Sequence, residues 1–165
     1  MQIQIGQTLI HPFHGPLVVT GMSDRTFKGN QVTYVQLEVK VKELSLQVPL
    51  HKADEIGLRP VMSEEDFKQI LEVLAEETEP NNDTWAHRIK EYQRNLQDGS
   101  NLGRAAVIRD IVRKHGGQPM PGTEKQMLQD ALELLCEEGG LCLDKPQDEV
   151  RVIVLDAVGA AELVS

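Results

Sequence analysis

The chain has few cysteines and lacks the residue patterns on which most catalytic, metal and disulfide sites are built. Its 165 residues include only two cysteines, Cys136 and Cys142, and aromatic side chains make up 4% of the sequence. No Gly-rich phosphate loop, Gly-x-Ser-x-Gly turn or metal-spaced His/Cys set is present. The sequence therefore predicts buried free thiols, no metal ion, no cofactor and no catalytic residues, so that the protein is expected not to be an enzyme.

Long hydrophobic runs are missing as well. No stretch approaches the roughly 20 consecutive apolar residues of a membrane-spanning helix. The first six residues, MQIQIG, lack the charged and apolar regions of a secretory signal. We therefore expect a cytoplasmic protein with no membrane partner.

One pair of histidines could suggest a metal clip. His11 and His14 flank Pro12 and Phe13, but the proline stiffens the turn and no acidic or thiol partner lies nearby in the sequence. Zinc sites need three or four ligands at suitable spacing. The pair therefore predicts a role in a turn at the surface.

Acidic charge predominates, and it is unevenly distributed. The formal net charge is −9, which argues against autonomous tight binding to nucleic acid. Residues 61–82 carry one Lys/Arg against seven Asp/Glu, whereas residues 83–114 carry seven against four. This basic window begins beside Trp85, the single tryptophan, so a weak local contact with DNA is compatible with the sequence.

Residues 1–60 show the period-two pattern of short strands. Val35, Leu37, Val39 and Val41 alternate with polar residues. Gly and Pro separate the predicted strands, which include residues 16–22 and residues 25–27 before a turn at Lys28. Pro49 marks an edge strand or a strand end, because proline cannot donate a hydrogen bond to a neighbouring strand. The pattern predicts a small, strongly bent antiparallel sheet or barrel.

From Met62 onward the period changes to that of helices. Ser63, Ser100 and either Asp83 or Thr84 are candidate N-caps. Thr123 and Gln126 fit a capping box, and glycine pairs at 116–117 and 139–140 are expected to end helices. The tail from Asp148 has helical spacing, although residues 152–155 could also form a strand. We predict an α+β protein with a β domain over residues 1–60 and about five helices over residues 61–165.

Trp85 has two interpretations. Trp85, Ile89, Tyr92 and Leu96 repeat at helical spacing, which is typical of a stripe that faces a core. A tryptophan at a helix start, after the Pro80–Asp83 loop and followed by cations, can instead act as an apolar wedge or stacking surface for nucleic acid. The residues alone favour the core interpretation.

The same segments resemble the CarD/CdnL family of bacterial transcription factors. The resemblance rests on motifs that occur in order along nearly the whole chain: IGQTLIHPFHG from Ile5, Arg25-Thr-Phe-Lys-Gly, Val48-Pro49, Ile56-Gly-Leu-Arg, Thr84-Trp-x-x-Arg-x-Lys90 and Gly122-x-Glu-Lys-x-Met-Leu128. It implies a Tudor-like domain that binds the β subunit of RNA polymerase, followed by a helical domain. In this family the helical domain reaches DNA at the upstream edge of the transcription bubble and stabilises the open promoter complex.

The resemblance also implies site residues. Arg25, Gln47 and Pro49 are expected to bind RNA polymerase, and Gln47 stands where some members have arginine. Trp85 is expected to wedge into the minor groove, with Arg88 and Lys90 on phosphates and no reading of base sequence. We expect a protein that binds promoter DNA weakly by itself and joins the nucleoid through polymerase. We expect a monomer, although the sequence is also compatible with a domain-swapped dimer.

A second function remains open on the sequence. The net charge of −9 is also compatible with an adaptor that binds polymerase or a repair factor through the β domain and never contacts DNA.

Overall fold

The computed structural model describes residues 2–40, 42–78, 82–116 and 118–160. Part of the predicted loop before Trp85 (residues 79–81) and Gly117 of the predicted helix stop lie outside the described residues. The chain divides into two compact units, Met1–Val61 and Met62–Ser165. In these described ranges the first unit holds a five-stranded sheet and the second holds five helices, which confirms the predicted α+β class.

The β unit is an antiparallel sheet with strand order β4-β3-β2-β1-β5. Its strands are β1 (Thr8–His11), β2 (Gly15–Phe27), β3 (Asn30–Val39), β4 (Leu44–Pro49) and β5 (Arg59–Pro60). A short helix, α1 (Ala53–Ile56), precedes β5. Pro49 closes β4 at one edge of the sheet, as its missing N–H requires.

The β2–β3 hairpin forms the centre of the sheet. Lys28 and Gly29 connect its strands, and both have positive φ values of 49° and 79°. Two consecutive positive φ values are typical of the type I′ turns that match the twist of a hairpin. The sequence suggested two separate strands before this turn, but β2 is continuous, with a change of register between Val19 and Gly21. Such a bulge adds one residue and bends the strand without ending it.

Alternation along the strands builds the core of the β unit. The predicted inward residues Val35, Leu37 and Val39 are buried, and the fourth, Val41, lies outside the described residues. They pack with six further residues of the unit: Leu9, Leu17, Val19, Val48, Ala53 and Leu58. The side chains between them on β3 therefore face the opposite side of the sheet.

The described residues of the second unit form five helices. They are α2 (Glu64–Ala75), α3 (Trp85–Leu96), α4 (Asn101–His115), α5 (Gly122–Leu143) and α6 (Gln147–Ala157). Three predicted N-caps are confirmed, because the hydroxyls of Ser63, Thr84 and Ser100 accept the N–H groups of Asp66, His87 and Gly103. Gly116 closes α4 in the left-handed conformation, also as predicted. The tail is helical, so its strand alternative is wrong.

Both predicted ends of α5 are wrong. The helix begins at Gly122 after Pro121, with no side-chain cap, so the Thr123–Gln126 capping box does not form. It continues through Gly139 and Gly140 to Leu143. A Cβ on Gly139 would lie 2.7 Å from Cγ1 of Val150, and one on Gly140 would lie 2.9 Å from the Lys145 carbonyl oxygen. These glycines permit close packing of α6 and its connection, and they do not end the helix.

The helical core also fixes polar groups at the start of the unit. The buried Glu138 carboxylate accepts the Met62 backbone N–H at 2.7 Å and the Asn101 side-chain amide at 2.7 Å. The helical spacing of Leu102, Ala105 and Ile108 predicts that all three face inward, but only Ala105 and Ile108 are buried and Leu102 is 49% exposed. Cys136 is buried and Cys142 half-buried, and both are free thiols as predicted. No helix in the described ranges has the length and apolar character needed to cross a membrane.

Candidate functional site

The start of α3 presents Trp85 at the surface of the helical unit. Thr84 caps the helix, and the Asp83 carboxylate lies 2.7 Å from Nδ1 of His87. Trp85 is 47% exposed, so its interpretation as a core residue is wrong, whereas Ile89 and Tyr92 of the same stripe are buried. Because side chains lean toward the N-terminus of their helix, a first-turn side chain projects past the helix start.

One turn further along α3, Arg88 is buried at 8% exposure. Its Nη2 donates to Oε1 of Glu124 at 3.0 Å, and its Nη1 donates to the Asp83 carbonyl oxygen at 3.2 Å. Its Nε–H is buried without an acceptor among the described residues. The guanidinium therefore joins the residue before the α3 cap to the first turn of α5.

Glu124 is the centre of this buried network. Its side chain is fully buried, and its second oxygen, Oε2, lies 2.6 Å from Nε2 of His115 at the end of α4. Tyr92 is adjacent, and burial followed by the Glu124 charge raises the pKa of its phenol to about 12, against the opposing charge and hydrogen bond of Arg88. The carboxylate thus connects α3, α4 and α5, and on α3 it is bound by Arg88, one turn after Trp85.

Most arginines of the basic window serve the structure of the helical unit. Arg109 donates to the Val73 carbonyl oxygen at 3.2 Å. Arg113 donates to the Leu74 carbonyl oxygen at 3.0 Å and to that of Glu76. These bonds bring cations to carbonyl groups at the C-terminal end of α2, where positive charge is favourable.

Two further arginines are also engaged. Arg104 is buried and donates to the Asn101 side-chain oxygen at 2.9 Å, and Arg94 pairs with Glu91 on the exposed face of α3. Lys90, in contrast, is exposed and has no side-chain partner within the described part of the chain. The basic window therefore offers far less free positive charge than its composition suggests, and Trp85 and Lys90 are its available side chains on α3.

The β unit brings the three residues that the resemblance assigned to polymerase onto one face of its sheet. Tyr34 on β3 lies directly opposite Pro49 on β4, and Gln36 lies opposite Gln47. The Arg25 guanidinium lies 5.2 Å from the centroid of the Tyr34 ring. Tyr34 is thus the central residue of this polar face, which runs across β2, β3 and the edge strand β4. We call it the outer face.

Tyr34 and Glu124 were not identified as site residues from the sequence. The alternation of β3 places Tyr34 on the same side as Gln36. Pairing β2 with β3 across the predicted turn would have placed Tyr34 next to Arg25. Glu124 lies in a segment of family resemblance, but nothing local indicates that it pairs with Arg88 thirty-six positions away. That contact depends on tertiary packing.

The histidine pair takes the predicted role in a turn. Nδ1 of His11 accepts the backbone N–H groups of Phe13 at 3.1 Å and His14 at 3.2 Å. Burial, and then the charge of His14, lower the pKa of His11. Among the described residues no group of three or more His, Cys, Asp or Glu side chains is arranged to hold a metal ion.

Comparison with known proteins identifies relatives of the chain. Residues 69–155, more than half of the sequence and almost the whole described helical unit, match the family described as CarD, C-terminal domain. The chain is also similar to YdeB of Bacillus subtilis (strain 168), provisionally named a transcription factor. The two are 24% identical over 135 residues, which cover 82% of this chain and 88% of YdeB. The aligned stretch is longer than the helical unit and so extends into the β unit. The chain belongs to the CarD/CdnL family.

Proposed function

We propose that this protein regulates transcription initiation by binding RNA polymerase through the outer face of its β unit and promoter DNA through the start of α3. Membership of the CarD family makes it a transcription-related factor, and the name of its Bacillus relative agrees. The observation that carries the proposal is the half-exposed Trp85 at the first turn of a helix whose next turn is firmly buried.

Trp85 would act on DNA by differential affinity. An apolar side chain inserted at a base step in the minor groove favours unstacked and bent DNA, which costs a few kcal/mol to form. A protein that binds the open promoter better than the closed one shifts the equilibrium toward the open state without changing any covalent bond. A single exposed tryptophan suits this role, because stacking on it requires no particular base.

Lys90 would supply a phosphate contact beside Trp85. It is exposed and has no side-chain partner within the described ranges, so its ammonium can meet a phosphate without breaking an internal ion pair. Arg88 differs, since its guanidinium already binds Glu124 and the Asp83 carbonyl oxygen. Its assignment to a phosphate remains a prediction from the family resemblance.

The outer face would bind the β subunit of RNA polymerase. Arg25, Gln47 and Pro49 lie around Tyr34 beside an edge strand, where unpaired backbone groups and side chains are both accessible. Gln47 is uncharged, so its contact would be a hydrogen bond instead of an ion pair. Attachment to polymerase raises the effective concentration of the helical unit at the promoter, which allows an acidic protein to act through weak DNA contacts.

The decisive measurement is the lifetime of open complexes on a ribosomal RNA promoter with polymerase from the same organism. We expect the intact protein to lengthen the lifetime and Trp85→Ala not to. Leu102→Ala is the matched control, because Leu102 is a comparably exposed apolar side chain on α4. Equal lengthening by all three proteins would rule out the wedge.

One observation favours the adaptor as a second candidate. Arg88, Arg94, Arg104, Arg109 and Arg113 all have partners within the protein, which leaves little positive charge for DNA. An adaptor would lose promoter stimulation with Arg25→Glu and keep it with Lys90→Glu. The DNA-binding regulator would lose it with either substitution.

A further inference from the structure

We propose that Arg88 is a positioning residue that holds Trp85 in place through the buried carboxylate of Glu124, and that it is not a phosphate ligand. This inference rests on the proposed role of Trp85 in binding DNA. It assigns new roles to Arg88 and Glu124 and departs from the role that the family resemblance gives to Arg88.

The geometry of the guanidinium carries the inference. Its two terminal nitrogens point in different directions, one to the Asp83 carbonyl oxygen and the other to Glu124. Asp83 immediately precedes the Thr84 cap, so the first bond holds the backbone that leads into Trp85. The second bond holds α3 against the first turn of α5. Arg88 thereby fixes both the approach to Trp85 and the helix that carries it.

Because the Arg88–Glu124 ion pair is buried, breaking it is energetically unfavourable. Glu124 is fully buried, and Arg88 is 8% exposed. Moving the guanidinium to a phosphate would leave a buried carboxylate without its cation, which is strongly unfavourable. Among the described residues the other side-chain partner of Glu124 is His115, which contacts the opposite carboxylate oxygen, Oε2, and therefore does not take the place of Arg88 on Oε1.

The variant Arg88→Lys distinguishes a residue that positions Trp85 from one that binds phosphate. Lysine retains the positive charge that a phosphate contact needs, but a single ammonium cannot reproduce the planar fork that spans Asp83 and Glu124. Glu124→Gln is the complementary variant, because it changes the buried partner and leaves Arg88 intact. If Arg88 binds phosphate, Glu124→Gln frees it and strengthens binding to DNA. If Arg88 positions Trp85, Glu124→Gln weakens binding.

The first readout needs no DNA. Trp85 is the only tryptophan, so the fluorescence anisotropy of the free protein reports the local mobility of that side chain. We expect lower anisotropy in Arg88→Lys and Glu124→Gln than in the intact protein. Arg94→Lys and Glu91→Gln are matched controls, since they alter the exposed Arg94–Glu91 pair on the same helix. Circular dichroism identifies a variant that has unfolded. If one of Arg88→Lys and Glu124→Gln unfolds, the anisotropy of the other tests the positioning role.

The second readout is binding to a promoter fragment with an unpaired bubble over a range of salt concentrations. Loss of one phosphate contact lowers the slope of log affinity against log salt by about 0.9. We expect both variants to bind roughly tenfold more weakly, as for one lost charge-assisted hydrogen bond, with the slope unchanged.

Unchanged anisotropy, or tighter binding with a steeper slope in Glu124→Gln, would overturn the inference. If Trp85→Ala leaves open complexes unaffected, the proposed function fails, and the anisotropy still tests the positioning role.

Discussion

The carboxylate of Glu138 holds the backbone N–H of Met62 at 2.7 Å, seventy-six positions earlier in the chain. Met62 is the first residue of the helical unit. A buried side chain near the end of α5 thus fixes the place where the chain enters this unit. The other carboxylate oxygen accepts the Asn101 amide, so the group is bound on both sides.

Glu138→Gln is expected to lower the free energy of unfolding by about 1–3 kcal/mol, the usual cost of leaving a buried polar group unsatisfied. Glutamine keeps the shape, but only one of its two terminal atoms accepts, so either Met62 or Asn101 loses its partner. Urea unfolding measures the change. Glu133→Gln on the exposed face of α5 is the control, and equal stability of the two variants would contradict the expected role of Glu138.

Gly103→Ala and Gly139→Ala are expected to destabilise the helical unit. A Cβ on Gly103 would overlap the carbonyl oxygen of Asn95, which is backbone and cannot turn aside, and one on Gly139 would press on Val150. Overpacking of this kind costs about 1–3 kcal/mol, with Gly103 the more severe.

Gly122→Ala is the matched control, because nothing lies within 4 Å of its Cβ position. We expect it to be neutral or stabilising by up to about 1 kcal/mol, since alanine is a better helix former than glycine. Thermal unfolding of the three variants tests the expected order of stability, with Gly122→Ala the most stable and Gly103→Ala the least. A stable Gly103→Ala protein would show that α3 and α4 can move apart without cost.

His11 is expected to make the β unit less stable in mildly acidic solution. Its pKa is lowered by burial and by His14, so the unfolded chain takes up a proton more readily than the folded one. The resulting stability is present above the unfolded pKa of about 6.5 and is lost as the pH falls from there through the folded pKa. Protonation also removes Nδ1 as the acceptor for Phe13 and His14.

His11→Asn should abolish that part of the pH dependence, because its side-chain oxygen can accept in a turn and does not titrate. An NMR titration of the imidazole gives the folded pKa directly. A value above 6.5, or the same pH dependence of unfolding in His11→Asn, would contradict the expectation.

Both cysteines are expected to be unreactive in the folded protein. Burial raises the pKa of Cys136 to about 11. Burial, followed by the charges of Glu64, Glu138 and Asp66, raises that of Cys142. Since the thiolate is the nucleophile, a disulfide reagent at neutral pH should modify neither until the chain is unfolded. Cys142→Ser isolates Cys136, and rapid labelling of that variant would show that the buried thiol becomes accessible.

Local patterns predicted the parts of the fold that depend on local physics. Ser63, Thr84 and Ser100 were found as caps because a capping hydroxyl binds its own first turn. The inward residues of β3 were found because the side chains of a strand alternate. Gly139 was misinterpreted, since a glycine that ends a helix and one that admits a neighbouring helix look alike in a sequence.

The candidate site was predictable only in part. The spacing of Trp85, Ile89 and Tyr92 predicted the helix. Whether Trp85 is buried, however, depends on where the neighbouring helices end. The charge of residues 83–114 indicated a basic surface, yet Arg109 and Arg113 bind α2 carbonyl groups contributed by residues more than thirty positions away. Composition cannot distinguish a cation that faces solvent from one that closes a helix.

The turn at Lys28 and Gly29 has a consequence for the order in which the β unit folds. It joins β2 and β3, the longest strands, across two residues, so this hairpin closes with little loss of chain entropy and on a timescale of about 1–10 μs. The pairing of Leu9 with Pro60 closes a far longer loop and becomes favourable only after the intervening strands have formed. The hairpin that carries Arg25 and Tyr34 is therefore expected to fold first, and the edge that leads into the helical unit last.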